Sequence, residues 1–558
     1  MMIRLVFVVL YVLVLMEGSV AQQIPPKSGP SKEHYHSKNH LSIKPTKNAI
    51  KDEELRSEYW HDVAQQMLSE KLQQKTSIQT AKNVIFFIGD GMSPQTVAAT
   101  RMYLGNENEY LSFEKFPHLG QAKTYCVNRQ VPDSACTGSS YLSGVKINYG
   151  MLNLAASIPR YTCEYDKSDK TEIDGLMKWA QDAGKATGIV TNTRVTHATP
   201  AASYAYSANG YWEGDQDVID GKCDPLKTID IARQMIYNEV PKNFNVILGG
   251  GRKYFLPREE KDEEGFHGSR LDAKNLLKEW MNIHSGMGES AYVWNKTGLV
   301  SVDFNKTDYL LGLFESSHLL YNLEVQQQNL DDMEPSLADM TEAAIKMLRK
   351  SEDGYVLFVE GGHIDTAHHE SWTRLALDET AEFSKAIALA RELTNLDDTL
   401  IVVSSDHSHT MTYNGYARRG QDVLGIADIS DIDHLPYTTL SYANGPGYNG
   451  TYNPDNPTER LNISEYDFTL YNLRYPATVL MAAETHGGED VAVYASGPQS
   501  HIFIGNYEQH AIPQLIAFAS EIGDYAEPSD PDDDGGAGHL LASFALLLLP
   551  IAVIGLVS

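Results

Sequence analysis

Positive charge is what this chain of 558 residues has least of, with 45 Lys and Arg facing 74 Asp and Glu for a formal net charge of -29. A nucleic-acid partner, which demands clustered cations against its phosphates, is excluded by that balance. Cysteine is also scarce, and four in this length cannot make a small disulfide scaffold. The mean hydropathy of -0.33 excludes a polytopic membrane protein. No internal repeat is found. What is present, 42% hydrophobic and 21% charged residues, fills a substantial core in one large domain or a few ordinary ones.

The two ends read as addresses. In residues 1–21 a lone Arg4 precedes an apolar run, and Ser19-Val20-Ala21 resembles a signal peptidase site, so a cleaved signal peptide is expected. From Leu540 to Ser558 the chain is apolar with no Lys or Arg after it, and small residues from Ser529 to Gly538 precede it. That order predicts a glycosylphosphatidylinositol (GPI) attachment signal over 529–558, with attachment between Ser529 and Gly536 and the tail removed. A single-pass helix is the alternative. Sequons at Asn295, Asn305, Asn449 and Asn462 suit a secreted glycoprotein. The mature chain is therefore expected on the extracellular face of the cell membrane, where disulfides persist. Four cysteines allow three pairings; Cys163 with Cys223 and Cys126 with Cys136 is the pairing adopted.

Residues 22–80 read as a polar leader followed by a helix, with Leu55, Tyr59, Val63 and Met67 at helical spacing. Beyond them, apolar runs alternate with helical patterns, the signature of α/β architecture with a mostly parallel sheet. The clearest runs are Val84–Ile88, Thr187–Thr191, Val246–Leu248, Tyr355–Val359, Leu400–Val403 and Val491–Ala495. From about 413 to 476 the texture turns to Tyr, Asn, Gly and Pro, which predicts an insertion folded on top of the main domain.

Chemistry gathers at the ends of these runs. VIFFIG ends in Asp90; VLFVE ends in Glu360, followed by His363, Asp365, His368 and His369; LIVVSS ends in Asp406, His407 and His409. Glu484, His486, Glu489 and Asp490 stand just before VAVYA. Ligand sites in open α/β sheets lie at the carboxyl ends of strands, and carboxylates with imidazoles there suit divalent metals. Asp365 and His369, four apart, share one face if helical. Ser134 follows Pro132-Asp133 and precedes small residues, as a serine at a helix N-terminus would, where an anion is favoured. No G-x-S-x-G surrounds it, so it is not a nucleophile elbow. Metal coordination is the alternative way to activate it.

The strings FFIGDGM, VPDSA, TRVTHATPA, VILGGGRKYF, GLFE, FVEGGHIDTAHHE, SSDHSHT, ANGPGY and ETHGGEDVAVYASGP together resemble animal, membrane-bound alkaline phosphatases, from about Asn83 to Phe518. The resemblance implies a three-layer α/β/α sandwich with a large central sheet, a catalytic domain over 81–528 carrying a crown-like insertion, and a homodimer. It implies hydrolysis of phosphate monoesters at alkaline pH through a phosphoserine on Ser134, with two zinc ions and one magnesium ion. One zinc would be held by Asp365, His369 and His486, and the second by Asp90, Asp406 and His407. Magnesium would take Asp90, Thr199 and Glu360, with His197 and His409 in support. GLFE implies a calcium site at Phe314, Glu315 and Glu334.

This chain also departs from the family pattern. Gly210, in Asn209-Gly210-Tyr211-Trp212, stands where the family carries an arginine that grips two phosphate oxygens. Its loss predicts weaker phosphate affinity and weaker product inhibition. Arg194 is no obvious replacement, because the family has an arginine there already. Thr366 replaces a histidine of the vertebrate branch, and Cys136 lies where small residues are usual. Gly210 keeps a rival reading open, a GPI-anchored binding protein whose metals are structural. A sulfatase or phosphodiesterase is a further alternative, but a sulfatase needs C/S-x-P-x-R, which Ser134-Ala-Cys-Thr-Gly138 lacks.

Overall fold

The computed structural model describes residues 50–168 and 170–526. The expected signal peptide and anchor signal, and the leader before residue 50, lie outside the described residues. Ten strands make the central sheet: β1 (Asn83–Gly89), β2 (His118–Lys123), β3 (Ala186–Arg194), β4 (Val246–Gly250), β5 (Ser290–Val293), β6 (Tyr309–Leu313), β7 (Tyr355–Gly361), β8 (Thr399–Ser404), β9 (Val491–Ser496) and β10 (Gly505–Glu508). Their spatial order is β10-β2-β9-β8-β1-β7-β3-β4-β6-β5. Every neighbouring pair is parallel except those of β9, which runs antiparallel to both β8 and β2.

The inner strands β1, β7 and β8 are buried without alternation because both faces of the sheet are covered there. Val84, Phe86 and Ile88 of β1 enter one core cluster, while Ile85 and Phe87 enter the other. Helix α2 (Ser134–Ser143) packs Ala135, Tyr141 and Leu142 into the first. Helices α3 (Leu337–Leu348) and α5 (Thr373–Leu393) fill the second with Met340, Ala344, Phe383 and Ile387. The result is three layers, α/β/α. A short helix α4 (His363–His369) connects β7 to α5.

The stretch rich in Tyr, Asn and Gly forms short strands. Met411–Tyr413, Leu440–Gly445 and Ala477–Leu480 make a three-stranded sheet, and Ile426–Ile429 pairs with Pro436–Thr438. Met411, Leu424, Tyr442 and Tyr475 root it against Ala99 and Leu377 of the main body. Both disulfides take the adopted pairing, Cys126–Cys136 and Cys163–Cys223.

The N-terminal helix stands apart from both core layers. A 3-10 turn covers Asp52–Leu55, and helix α1 runs over Ser57–Gln73, but none of its residues is buried. Leu55 is 74% exposed and Met67 55%. Its apolar spacing marks a helix, and the helix forms with that side largely open to solvent. Among the described residues no helix is long and apolar enough to cross a membrane.

Candidate active site

Because β1 lies between β7 and β8 with Ile88 level with Glu360 and Ser404, the sheet delivers its polar strand ends to one edge. Asp90 follows β1, Glu360 closes β7, and Asp406 and His407 follow β8. Ser408–His409 then pairs antiparallel with His486–Gly487, which brings His486 beside the rest. Helix α4 places Asp365 and His369 one turn apart on its inner side.

Three donor groups result. Asp365 carboxylate oxygens lie 3.3 Å from His369 Nε2 and 3.3 Å from His486 Nε2, and the two imidazole nitrogens are 3.1 Å apart. His407 Nε2 stands 3.4 Å from Asp90 Oδ1 and 3.2 Å from Asp406 Oδ2. On the far side of Asp90, its Oδ2 accepts from Thr199 Oγ1 at 3.2 Å, and Asp90, His197 and Glu360 converge as a third group. Ser134 Oγ sits 3.1 Å from His407 Nε2 and 3.4 Å from Asp90 Oδ1.

The donor chemistry fits cations. Burial pushes Asp90 well above the usual carboxylate range, and Asp406, Asp365 and Glu360 push it further. Glu360 is raised to about 7, chiefly by burial, although Thr191 and Thr193 donate to it. Its Oε1 and His197 Nδ1 are buried without a hydrogen-bond partner. Orphaned atoms of this kind cost free energy unless something binds them, and a divalent ion both neutralises the carboxylates and accepts the imidazole lone pairs. Burial together with Arg194 lowers His197 to about 4, so its ring is neutral and able to ligate.

His409 lies close to Asp365, His407 and His486, but both of its ring nitrogens are taken by carboxylates. Its Nε2 donates to Asp365 Oδ1 at 2.7 Å and its Nδ1 faces Glu484. Burial opposes its charge, but Glu484 and Asp365 raise it to about 10. Glu484 is a residue that the strand-end reading left without a role. Besides holding His409, it accepts from Thr410 N at 2.7 Å, and its backbone oxygen accepts from His369 Nδ1 at 2.6 Å. Orientation of ligands by such partners tunes metal sites.

Ser134 is the first residue of α2, with Asp133 as N-cap. It opens into a cavity of about 770 Å³ lined by Tyr149, Gly150, Gly210, Tyr211, Met481 and Ala482, among others. Thr366 also lines it and accepts a hydrogen bond from Tyr321 Oη at 2.9 Å. Away from this cavity, burial and Glu264 raise Glu315 to about 7, while burial and Glu315 raise Glu334 to about 8. The Phe314 ring lies in the core, leaving its backbone carbonyl as the only atom able to ligate. Glu315 and Glu334 do not form one of the tight donor groups found at the sheet edge. Asn305, Asn449 and Asn462 are exposed, and Asn295 is half-buried as the N-cap of a short helix.

A family model described as alkaline phosphatase matches residues 81–522. The membrane-bound alkaline phosphatase of Bombyx mori is 42% identical over 86% of this chain and 87% of its own. The tissue-nonspecific isozyme of Homo sapiens is 40% identical over 91% of this chain and 97% of its own. The chain belongs to the alkaline phosphatase family. It is a phosphoric monoester hydrolase with metal-binding groups at its sheet edge. Among solved structures, alkaline phosphatase from Thermus thermophilus superposes with a TM-score of 0.57 at 22% identity, covering 85% of this chain and 97% of that one. That likeness shows the shared fold.

Against the alkaline phosphatase pattern, Gly210 is buried on the cavity wall, its N–H donating to Gly150 O at 2.8 Å. Arg194 is committed elsewhere, forming a two-pronged pair with Glu213 at 2.8 and 2.7 Å.

Proposed function

We propose that this alkaline phosphatase hydrolyses phosphate monoesters to an alcohol and inorganic phosphate on the extracellular face of the cell membrane, held there by a GPI anchor. The observation that carries the mechanism is Ser134 Oγ at a helix N-terminus, 3.1 Å from His407 Nε2, facing an open cavity. Asp365, His369 and His486 would hold one zinc ion, Asp90, Asp406 and His407 the other, and Asp90, Thr199 and Glu360 magnesium. When bound, these ions supply Lewis-acid stabilisation of the attacking and leaving oxygens.

Ser134 Oγ attacks phosphorus as the ester bond to the alcohol breaks, leaving a phosphoserine. A water then attacks the same phosphorus, inorganic phosphate departs, and the serine hydroxyl is restored. Two in-line displacements give retention at phosphorus. The N-terminal N–H groups of α2 favour the phosphoryl charge. Thr137 Oγ1 donates to Asp406 Oδ2 at 3.1 Å and Gly91 N to Asp406 Oδ1 at 2.9 Å, which holds that carboxylate in place. Glu315 and Glu334, with the Phe314 carbonyl, form a calcium site in this reading. The sequons carry glycans, and two chains associate as a homodimer.

Release of p-nitrophenol from p-nitrophenyl phosphate by the purified ectodomain, from neutral to strongly alkaline pH, tests the reading. Turnover that rises with pH, stops with chelator and is absent from Ser134→Ala is expected. Absence of turnover from the metal-loaded protein would favour the second reading, a surface binding protein, which Gly210 alone supports.

A further inference from the structure

A site that handles a phosphoryl dianion among buried carboxylates needs a fixed cation facing the phosphoryl oxygens. Gly210 brings no side chain to the cavity, and Arg194 is taken by Glu213. A different guanidinium stands next to that gap. Arg160 is half-buried, and its Nε and Nη2 both donate to Oδ1 of Asn209, at 3.3 and 2.8 Å, the residue just before Gly210. Its guanidinium carbon lies 4.7 Å from the Tyr161 ring centroid, 5.4 Å from Tyr149 and 5.7 Å from Tyr211. Among the described residues no carboxylate pairs with it, and Nη1 has no acceptor.

The guanidinium lies flat against Gly150, where a Cβ would come within 2.1 Å of Arg160 Cζ. Gly150 is left-handed, at φ 76°, so glycine serves both the turn and this close approach. It lines the same cavity as Ser134, donates its N–H to Asp133 Oδ1 at 2.8 Å and accepts from Gly210 N at 2.8 Å. Arg160 thus rests on the strip of backbone that joins the N-cap of the serine helix to Gly210. Its charge reaches that N-cap: burial raises the Asp133 carboxyl, and Arg160 is among the groups that lower it.

We propose that Arg160 is the phosphoryl-binding guanidinium of this site, supplied by the loop before Cys163 in place of the side chain that Gly210 lacks. The proposal rests on the monoesterase reading. Asn209 and the three tyrosines keep the fork oriented, which limits the entropy lost when it meets a phosphate. Arg160 stands directly behind the cavity-lining Gly150, whereas Arg129 lines the cavity itself but is exposed, donates to its neighbour Asn128 O at 3.0 Å and has one ring, Tyr149, beside it.

Binding of inorganic phosphate to the metal-loaded ectodomain, read by calorimetry beside ester turnover, tests the assignment. Arg160→Ala should weaken phosphate binding by about 10- to 100-fold, the range for a lost hydrogen bond to a charged group, with the melting temperature unchanged. If alanine upsets the loop, Arg160→Gln keeps the contact with Asn209 and should lose phosphate affinity similarly. Adding Gly210→Arg to either variant should restore binding, since a Cβ at Gly210 meets only Ala135 Cβ closely, at 3.2 Å. Unchanged phosphate affinity in Arg160→Gln, or a loss confined to Arg129→Ala, would overturn the assignment. A protein that binds phosphate through Arg160 yet never turns over ester would instead sink the monoesterase reading and leave this one standing.

Discussion

Beneath the floor of the cavity, Asp90, Glu360 and Asp406 are fully buried, Glu360 near the end of strand β7 and the others just past the ends of β1 and β8, all strands paired on both sides. On the wall, Tyr211 is 66% exposed, and Tyr149 and Gly150, with Arg160 packed behind them, come from turns between elements. The sheet register fixes the floor donors, which lie within 3.4 Å of one another in turn, so altering one disturbs its neighbours. The wall holds its groups through side-chain contacts between loops, such as Arg160 to Asn209 and the neighbouring tyrosines. Recognition there can be handed from one segment to another, while the charge arrangement beneath stays as it is.

Experiments on the two regions should give effects of different size. The largest is expected at Asp365→Ala, which removes a carboxylate that faces His369, His409 and His486 at once. Breaking a buried charge cluster of this kind costs about 3–5 kcal/mol, so metal content measured after dialysis should drop and turnover with it. Glu484→Gln should lower metal affinity by about 10- to 100-fold while the donors themselves remain; chelator competition reads it. An unchanged affinity there would mean that the floor does not depend on its supports.

A third test uses pH. Burial raises Glu360 to about 7, so below that value its proton must be displaced before it can ligate. Metal affinity should therefore fall as pH drops from 8 to 6, approaching about tenfold per unit for each proton displaced. Affinity that is flat across this window would show that Glu360 is ionised throughout. The smallest effect is expected on the wall: Tyr211→Ala should change kcat/KM by less than about tenfold, in keeping with the loss of one exposed cation–π contact, and leave metal content alone. A collapse of metal binding in that variant would erase the distinction between floor and wall.

Much of the floor was legible because its rules are local. Unbroken apolar runs identify β1, β7 and β8, and the acids that close them identify the edge where ligands gather. The four-residue step from Asp365 to His369 likewise follows from helical geometry. Glu484 was not legible in the same way, since its partner His409 lies 75 residues earlier and the two meet through a two-residue antiparallel pairing with no apolar signature. Arg160 escaped for a related reason: the loop around it has no period, and its link to Asn209 spans 49 residues. For α1, spacing marks the apolar side of a helix but not what, if anything, lies against it.

The reversal of β9 has a consequence in time. A parallel sheet shows the carboxyl ends of its strands at one edge, and a strand running the other way begins at that edge. His486 stands just before β9 for this reason, and it is the last donor to be synthesised. A growing chain therefore holds all of Asp90, Asp406 and His407, together with Ser134, some 80 residues before the Asp365–His369–His486 group can close. The two donor groups share one edge of the finished molecule, yet the order of translation makes them separate events.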